Sequence, residues 1–99
     1  MHRNEVLKQL SAALPDLQQR YNIRDIAIFG SVARDEAREN SDVDVLVEFM
    51  PGKTGGYFKF FRLQRELEVL LGTRVDLVTL DGLKHQLRDQ ILSEAIHAA

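Results

Sequence analysis

Residues 26–48 read I-A-I-F-G-S-V-A-R-D-E-A-R-E-N-S-D-V-D-V-L-V-E, from Ile26 to Glu48. An apolar run ends at Gly30-Ser31, ten residues follow, and Asp42-Val43-Asp44 opens a second apolar run. Ile23–Phe29 and Val43–Phe49 have the composition of strands. In the first, Ile26 and Ile28 share one side and Ala27 and Phe29 the other, which predicts burial on both sides. In the second, Val43, Val45, Val47 and Phe49 alternate with Asp44, Leu46 and Glu48. Gly30 breaks the first strand, and a short helix over about 32–37 is expected after it. Arg38, Glu39, Asn40 and Ser41 form a polar turn.

Working outward, Val6, Leu7, Leu10 and Leu14 make a helical apolar stripe that Asn4 is placed to cap. Pro15 predicts a kink or two short helices. Leu17 and Tyr21 continue the stripe and Asn22 closes it. Pro51, Gly52, Gly55 and Gly56 mark a loop. A helix over about 57–71 follows, with Phe60, Leu63, Leu67 and Leu70 as its core stripe and Gly72 as its stop. A third strand is expected over 73–79. Asp81 is placed to cap a last helix over about 83–97, striped by Leu83, Leu87, Ile91 and Ala95. The whole predicts one α/β (α+β) domain over residues 1–99, a short mixed three- to four-stranded sheet flanked by helices.

The composition narrows the function. The chain has 99 residues, no cysteine and a formal charge of −2. Disulfides and thiolate metal sites are excluded. A broad nucleic-acid footprint is not expected at that charge. No apolar run reaches the ~20 residues of a membrane span, and the N-terminus has no signal-peptide core, so a cytoplasmic protein is expected.

Strand residues two apart share a side, so Asp42 and Asp44 converge on one place. Ionised carboxylates that close repel unless a cation lies between them, and Mg²⁺ takes carboxylates together with phosphate oxygens. Asp76 is the one acid within an apolar strand and needs a partner; if its strand neighbours the second, it joins the pair. Three carboxylates suit metal-assisted phosphoryl transfer. Gly30 lets backbone approach a phosphate, Ser31 adds a hydroxyl and Arg34 adds charge. Taken singly, each is an ordinary turn or strand residue. Together, all at strand ends or faces, they point to a nucleotide-phosphate and metal site. Gly52-Lys53-Thr54 resembles the end of a P-loop, but Val47 stands where that motif needs glycine, so it is set aside. His2, His85 and His97 lack ligand spacing and read as surface groups.

Gly30-Ser31, ten residues, then Asp42-x-Asp44 resembles the signature of the DNA polymerase β-like nucleotidyltransferases. F-G-S-V-A-R at 29–34 and S-D-V-D-V-L-V at 41–47 are similar, more narrowly, to the minimal nucleotidyltransferase (MNT) proteins. The likeness extends to R-L-Q-R-E-L-E-V-L-L-G-T-R-V-D-L-V-T at 62–79 and R-D-Q-I-L-S-E-A-I at 88–96. It implies that Asp42 and Asp44 bind Mg²⁺, that Asp76 is a third ligand polarising the attacking hydroxyl, and that Gly30 and Ser31 hold the phosphates of ATP. It also implies an antitoxin that transfers AMP to a tyrosine hydroxyl of a HEPN-domain toxin. Two alternatives stand beside this: neutralisation by binding alone, and a small-molecule acceptor. Where the family often has glycine after Ala-Arg, this chain has Asp35, expected to point to solvent. Tyr57, Phe58 and Phe61 fall partly off the helix stripe, suited either to a base or partner or to completing a small core.

Overall fold

The computed structural model describes residues 2–38, 40–52 and 56–98. Its elements are α1 (Arg3–Tyr21), β1 (Ile23–Phe29), α2 (Gly30–Ala33), β2 (Val43–Phe49), α3 (Gly56–Leu71), β3 (Val75–Thr79), α4 (His85–Glu94) and β4 (Ile96–His97). The strands form one mixed sheet in the order β3-β2-β1-β4, with β2 parallel to β3 and antiparallel to β1. This is the expected small α+β architecture. No described helix is long and apolar enough to cross a membrane.

The pleat divides the sheet into two unlike faces. Register pairs Ile28 with Val45 and Val45 with Leu77, and Val43 with Val75. These side chains are buried with Val6, Leu10, Leu14 and Leu17 of α1 and Leu63, Leu67 and Leu71 of α3 in a single core. Both long helices therefore cover the same face. The other face carries Phe29, Asp44 and Asp76 in one row, because Phe29 pairs with Asp44 and Asp44 with Asp76.

Several expectations are corrected. Pro15 lies inside an unbroken α1, capped at Asn22 in the left-handed region rather than divided in two. Leu14, Leu17 and Tyr21 are buried on both sides of the proline, so core packing outweighs its missing N–H. Asn4 is within the helix, and the N-cap is His2. The core stripe of α3 ends on Leu71, whereas Leu70 is exposed. β3 begins at Val75, two residues later than expected. The last helix stops at Glu94, its N-cap is Lys84 rather than Asp81, and it buries no side chain fully. Ile96 and His97 leave it to pair with Ile28 and Ala27, because β1 offers an unpaired edge there. α2 is shorter than expected and ends before Asp35, whose φ is 61°. Glu39 of the polar turn, and Lys53, Thr54 and Gly55 of the loop, lie outside the described residues.

Candidate functional site

β1 ends at Phe29 and the chain turns at once into α2. Gly30 has φ of +72°, a region that L side chains rarely enter. A Cβ here would also lie 2.1 Å from Oδ2 of Asp44. Glycine is thus required twice, by the turn and by the carboxylate that closes over it. Ser31 follows, half-buried, and the turn is tied back by the Glu36 N–H donating to Ser31 O at 2.8 Å.

Asp44 is the centre of the acid group. It is half-buried on the sheet face opposite the long helices, directly beside Asp76 on the neighbouring parallel strand. Its carboxyl is pushed up to about 6 by burial first, then by the negative charges of Asp76 and Asp42, against a smaller opposing pull from Arg34. Asp76 is exposed rather than enclosed, because no long helix covers this face. Its partner is another acid, so the site concentrates negative charge instead of neutralising it. Asp42 precedes β2 and is exposed; its Oδ1 lies 3.4 Å from Arg74 Nε. Among the described residues no three acid or imidazole side chains are gathered as a finished ligand set. The donor chemistry nevertheless fits a hard cation: oxygen ligands only, three acids, one of them burdened by the charge of the other two. Completing such a set needs Asp42 to turn from Arg74, an exposed contact of little energy.

Arg34 is near the acids but engaged. Its Nε donates to Glu36 Oε2 at 3.1 Å and its Nη1 to both oxygens of Glu94 at 3.2–3.3 Å. Glu94 also accepts the Gly30 N–H at 3.0 Å. The sequence reading had no place for Glu94, which reaches the turn from the end of α4. The region thus combines a carboxylate group able to hold a cation with a backbone N–H, a hydroxyl and a guanidinium able to hold an oxyanion.

A second feature lies apart. A cleft of about 680 Å³ is lined by Phe49, Tyr57, Phe60, Phe61, Thr79 and neighbours. It lies at the far end of β2, five residues or roughly 16 Å along the strand from Asp44. Its lining is mostly apolar and it carries no part of the acid group. Tyr57 and Phe61 of its lining are exposed at 81% and 60%, and Phe58, outside the lining, at 91%, so these three do not complete the core. Of the histidines, His2 and His85 are exposed, and His97 pairs with Asp25 at the surface.

Comparison with known proteins gives the family and the fold. Residues 7–97 match the nucleotidyltransferase domain family. The chain is 41% identical over 93 residues to the protein adenylyltransferase MntA of Thermococcus cleftensis, covering 94% of this chain and 92% of that protein. It superimposes with a TM-score of 0.79 and 46% identity on a solved minimal nucleotidyltransferase, over 97% of this chain and 95% of the other. It shares its fold, at a TM-score of 0.66 and 20% identity over 94% of this chain and 71% of the other, with a structure of the tri-AMPylated Shewanella oneidensis HEPN toxin in complex with MNT antitoxin.

Proposed function

Because this chain belongs to the nucleotidyltransferase domain family, and within it to the minimal nucleotidyltransferases, we propose that it transfers AMP from ATP to a tyrosine hydroxyl of a HEPN-domain toxin and acts as that toxin's antitoxin. The observation that carries this is the pairing of Asp44 with Asp76 on the sheet face opposite the long helices, against the Gly30 turn. Asp42, Asp44 and Asp76 would hold Mg²⁺, which when bound supplies positive charge between the carboxylates and the phosphate oxygens. Gly30 N–H, Ser31 hydroxyl and Arg34 hold the outer phosphates and orient the chain of the nucleotide. The acceptor oxygen attacks the α-phosphorus as its proton passes to Asp76. The bond from that phosphorus to the bridging oxygen breaks, and pyrophosphate leaves. We place the reaction in the cytoplasm, where ATP is available, with no nucleic acid taking part.

The test is a transfer assay with α-labelled ATP and Mg²⁺, with and without the HEPN partner, beside the Asp42→Asn/Asp44→Asn double variant. Label on the partner's tyrosine, lost in the double variant, is the expected result. Label that persists in that variant refutes the assignment of these carboxylates.

One observation favours a second reading. Tyr57, Phe58 and Phe61 are exposed rings on one helix, Tyr57 stacked on Phe61, which suits capture of a protein partner. Neutralisation by occlusion alone predicts that the double variant still protects cells from the toxin. Loss of protection while the complex still forms excludes occlusion as sufficient.

A further inference from the structure

Glu94 lies 64 residues beyond Gly30 and outside the acid pattern of the central stretch. Its Oε1 accepts the Gly30 N–H at 3.0 Å, and Arg34 Nη1 lies 3.3 Å from that oxygen and 3.2 Å from Oε2. Two of the three groups assigned to the nucleotide's phosphates are therefore already holding an oxyanion, and it is one of the chain's own. A carboxylate and a phosphate present the same acceptor oxygens to these donors.

The placement is otherwise unfavourable for an acid. Glu94 is the last residue of α4, at the negative end of the helix dipole. It also adds its charge to the field that Asp76 and Asp42 impose on Asp44. Gly30 and Arg34 are what offset this. The backbone on its C-terminal side is fixed, since Ile96 and His97 pair with β1 and the Ala98 N–H donates to Ile26 O. The side chain is not fixed in the same way. α4 buries none of its side chains fully, and the glutamate has three rotatable bonds between backbone and carboxylate. The carboxylate can swing out without unmaking the core.

Building on the phosphate-holding role given above to Gly30 and Arg34, we propose that Glu94 is an internal stand-in for the substrate's phosphate. It keeps the Gly30 N–H and the Arg34 guanidinium oriented toward one oxyanion, and the incoming nucleotide must displace it. Glu94 thereby sets nucleotide affinity while making no bond to the nucleotide.

Calorimetric titration of the intact chain tests this, with ATP and with inorganic tripolyphosphate, both in Mg²⁺, for wild type, Glu94→Gln and Arg34→Ala. Glutamine keeps the size of the side chain and removes its charge. The expected result is a Kd lowered about two- to fivefold in Glu94→Gln for both ligands, the scale of releasing one partly exposed ion pair, with weaker binding in Arg34→Ala. Equal or weaker binding in Glu94→Gln, while wild type binds and Arg34→Ala loses affinity, overturns the stand-in role alone. A wild type that binds neither ligand, or an Arg34→Ala variant that binds as well as wild type, overturns the phosphate assignment as well. A second measurement needs no variant. On titrating tripolyphosphate into labelled wild type, the Glu94 carboxyl carbon and the Gly30 amide should shift along one saturation curve. A Gly30 amide that shifts while Glu94 does not overturns the displacement.

Discussion

Asp44→Asn should stabilise the protein at neutral pH and leave it unchanged in acid. The carboxyl of Asp44 is pushed up to about 6 from an ordinary value of 3.8, by burial and by Asp76 and Asp42. The folded state therefore binds this proton more tightly than the unfolded state does. Stability from the group is complete below about pH 4, falls as pH rises from about 4 to about 6, and stays lost above that. The full shift corresponds to about 3 kcal/mol at 1.36 kcal/mol per unit. Asp44 keeps part of its surface in water, so screening reduces this to roughly 1–2 kcal/mol. For a domain of this size that is about 5–10 °C in thermal midpoint. Asparagine holds the same space without the charge. Thermal denaturation of both proteins in EDTA, from pH 4 to pH 8, should give curves that coincide at the acid end and separate through pH 5–6. Adding Mg²⁺ at pH 7.5 should close the gap by raising the wild type alone. A difference independent of pH, or a variant less stable at pH 8, would refute the electrostatic burden assigned to Asp44.

Other consequences are as direct. Gly30→Ala places a Cβ 2.1 Å from Asp44 Oδ2 at a φ of +72°, so it should cost at least about 1–2 kcal/mol from the backbone alone and abolish transfer, read by denaturant unfolding and by the labelled-ATP assay. Asp35 has a φ of 61°; Asp35→Gly should change stability by less than about 0.5 kcal/mol, whereas Asp35→Val should cost about 1–2 kcal/mol. Leu67→Ala empties a fully buried position between α3 and the sheet and should cost about 2–5 kcal/mol without moving the pH dependence above. Phe58→Ser removes a 91% exposed ring and should leave stability within about 0.5 kcal/mol while weakening capture of the HEPN partner in a pull-down.

Much of the fold is legible in the amino-acid sequence alone. β1 and β2 were bounded by residues that act locally: Asn22 and Gly30 at the ends of the first, the polar Asn40-Ser41-Asp42 before the second. Their alternation placed Asp42 and Asp44 on one side and the valines on the other. What failed were features decided at a distance. Leu83, Leu87, Ile91 and Ala95 have helical spacing, but no stripe can tell that Ile96 will find an open edge on β1, and the pairing outweighs the local pattern. Leu70 and Leu71 are adjacent, and only the docking of α3 selects the second. Asp76 read as an acid enclosed in an apolar strand. It is exposed, because α1 and α3 both pack on the opposite face, and periodicity along a strand does not say which face a helix covers.

Asp35 shows the same limit from another side. The family resembled by the sequence often has glycine at this position, and the aspartate here is expected to point to solvent. The backbone gives a cause for the family's glycine: Asp35, just past the Arg34 C-cap of α2, adopts the left-handed region, where glycine is at ease and aspartate is among the more tolerant of the rest. The acid is exposed, as expected, and its substitution is a matter of backbone conformation before it is one of charge. Glu94 had no local signal at all. R-D-Q-I-L-S-E reads as the end of a helix, and its link to Gly30 exists only once β4 has docked on β1.

The spacing of the acid pair has a structural origin that the chemistry alone does not supply. Val43, the residue between Asp42 and Asp44, is fully buried, as is Val45 beyond it. The Val43 N–H donates to Arg74 O at 3.0 Å, which pins the start of β2 to the segment leading into β3. Val43 pairs with Val75, and Asp44 therefore falls beside Asp76. The offset between the acids of two strands is thus fixed by valines packed on the opposite face. A slip of one residue in this pairing would expose the core face and bury the carboxylates together. That outcome costs far more than the repulsion among the acids, so the core holds the aspartates at a separation they would not choose. Core and candidate site are alternate residues of the same strands, and a substitution at Val43 should disturb the proposed metal and nucleotide binding as surely as one at the acids it separates.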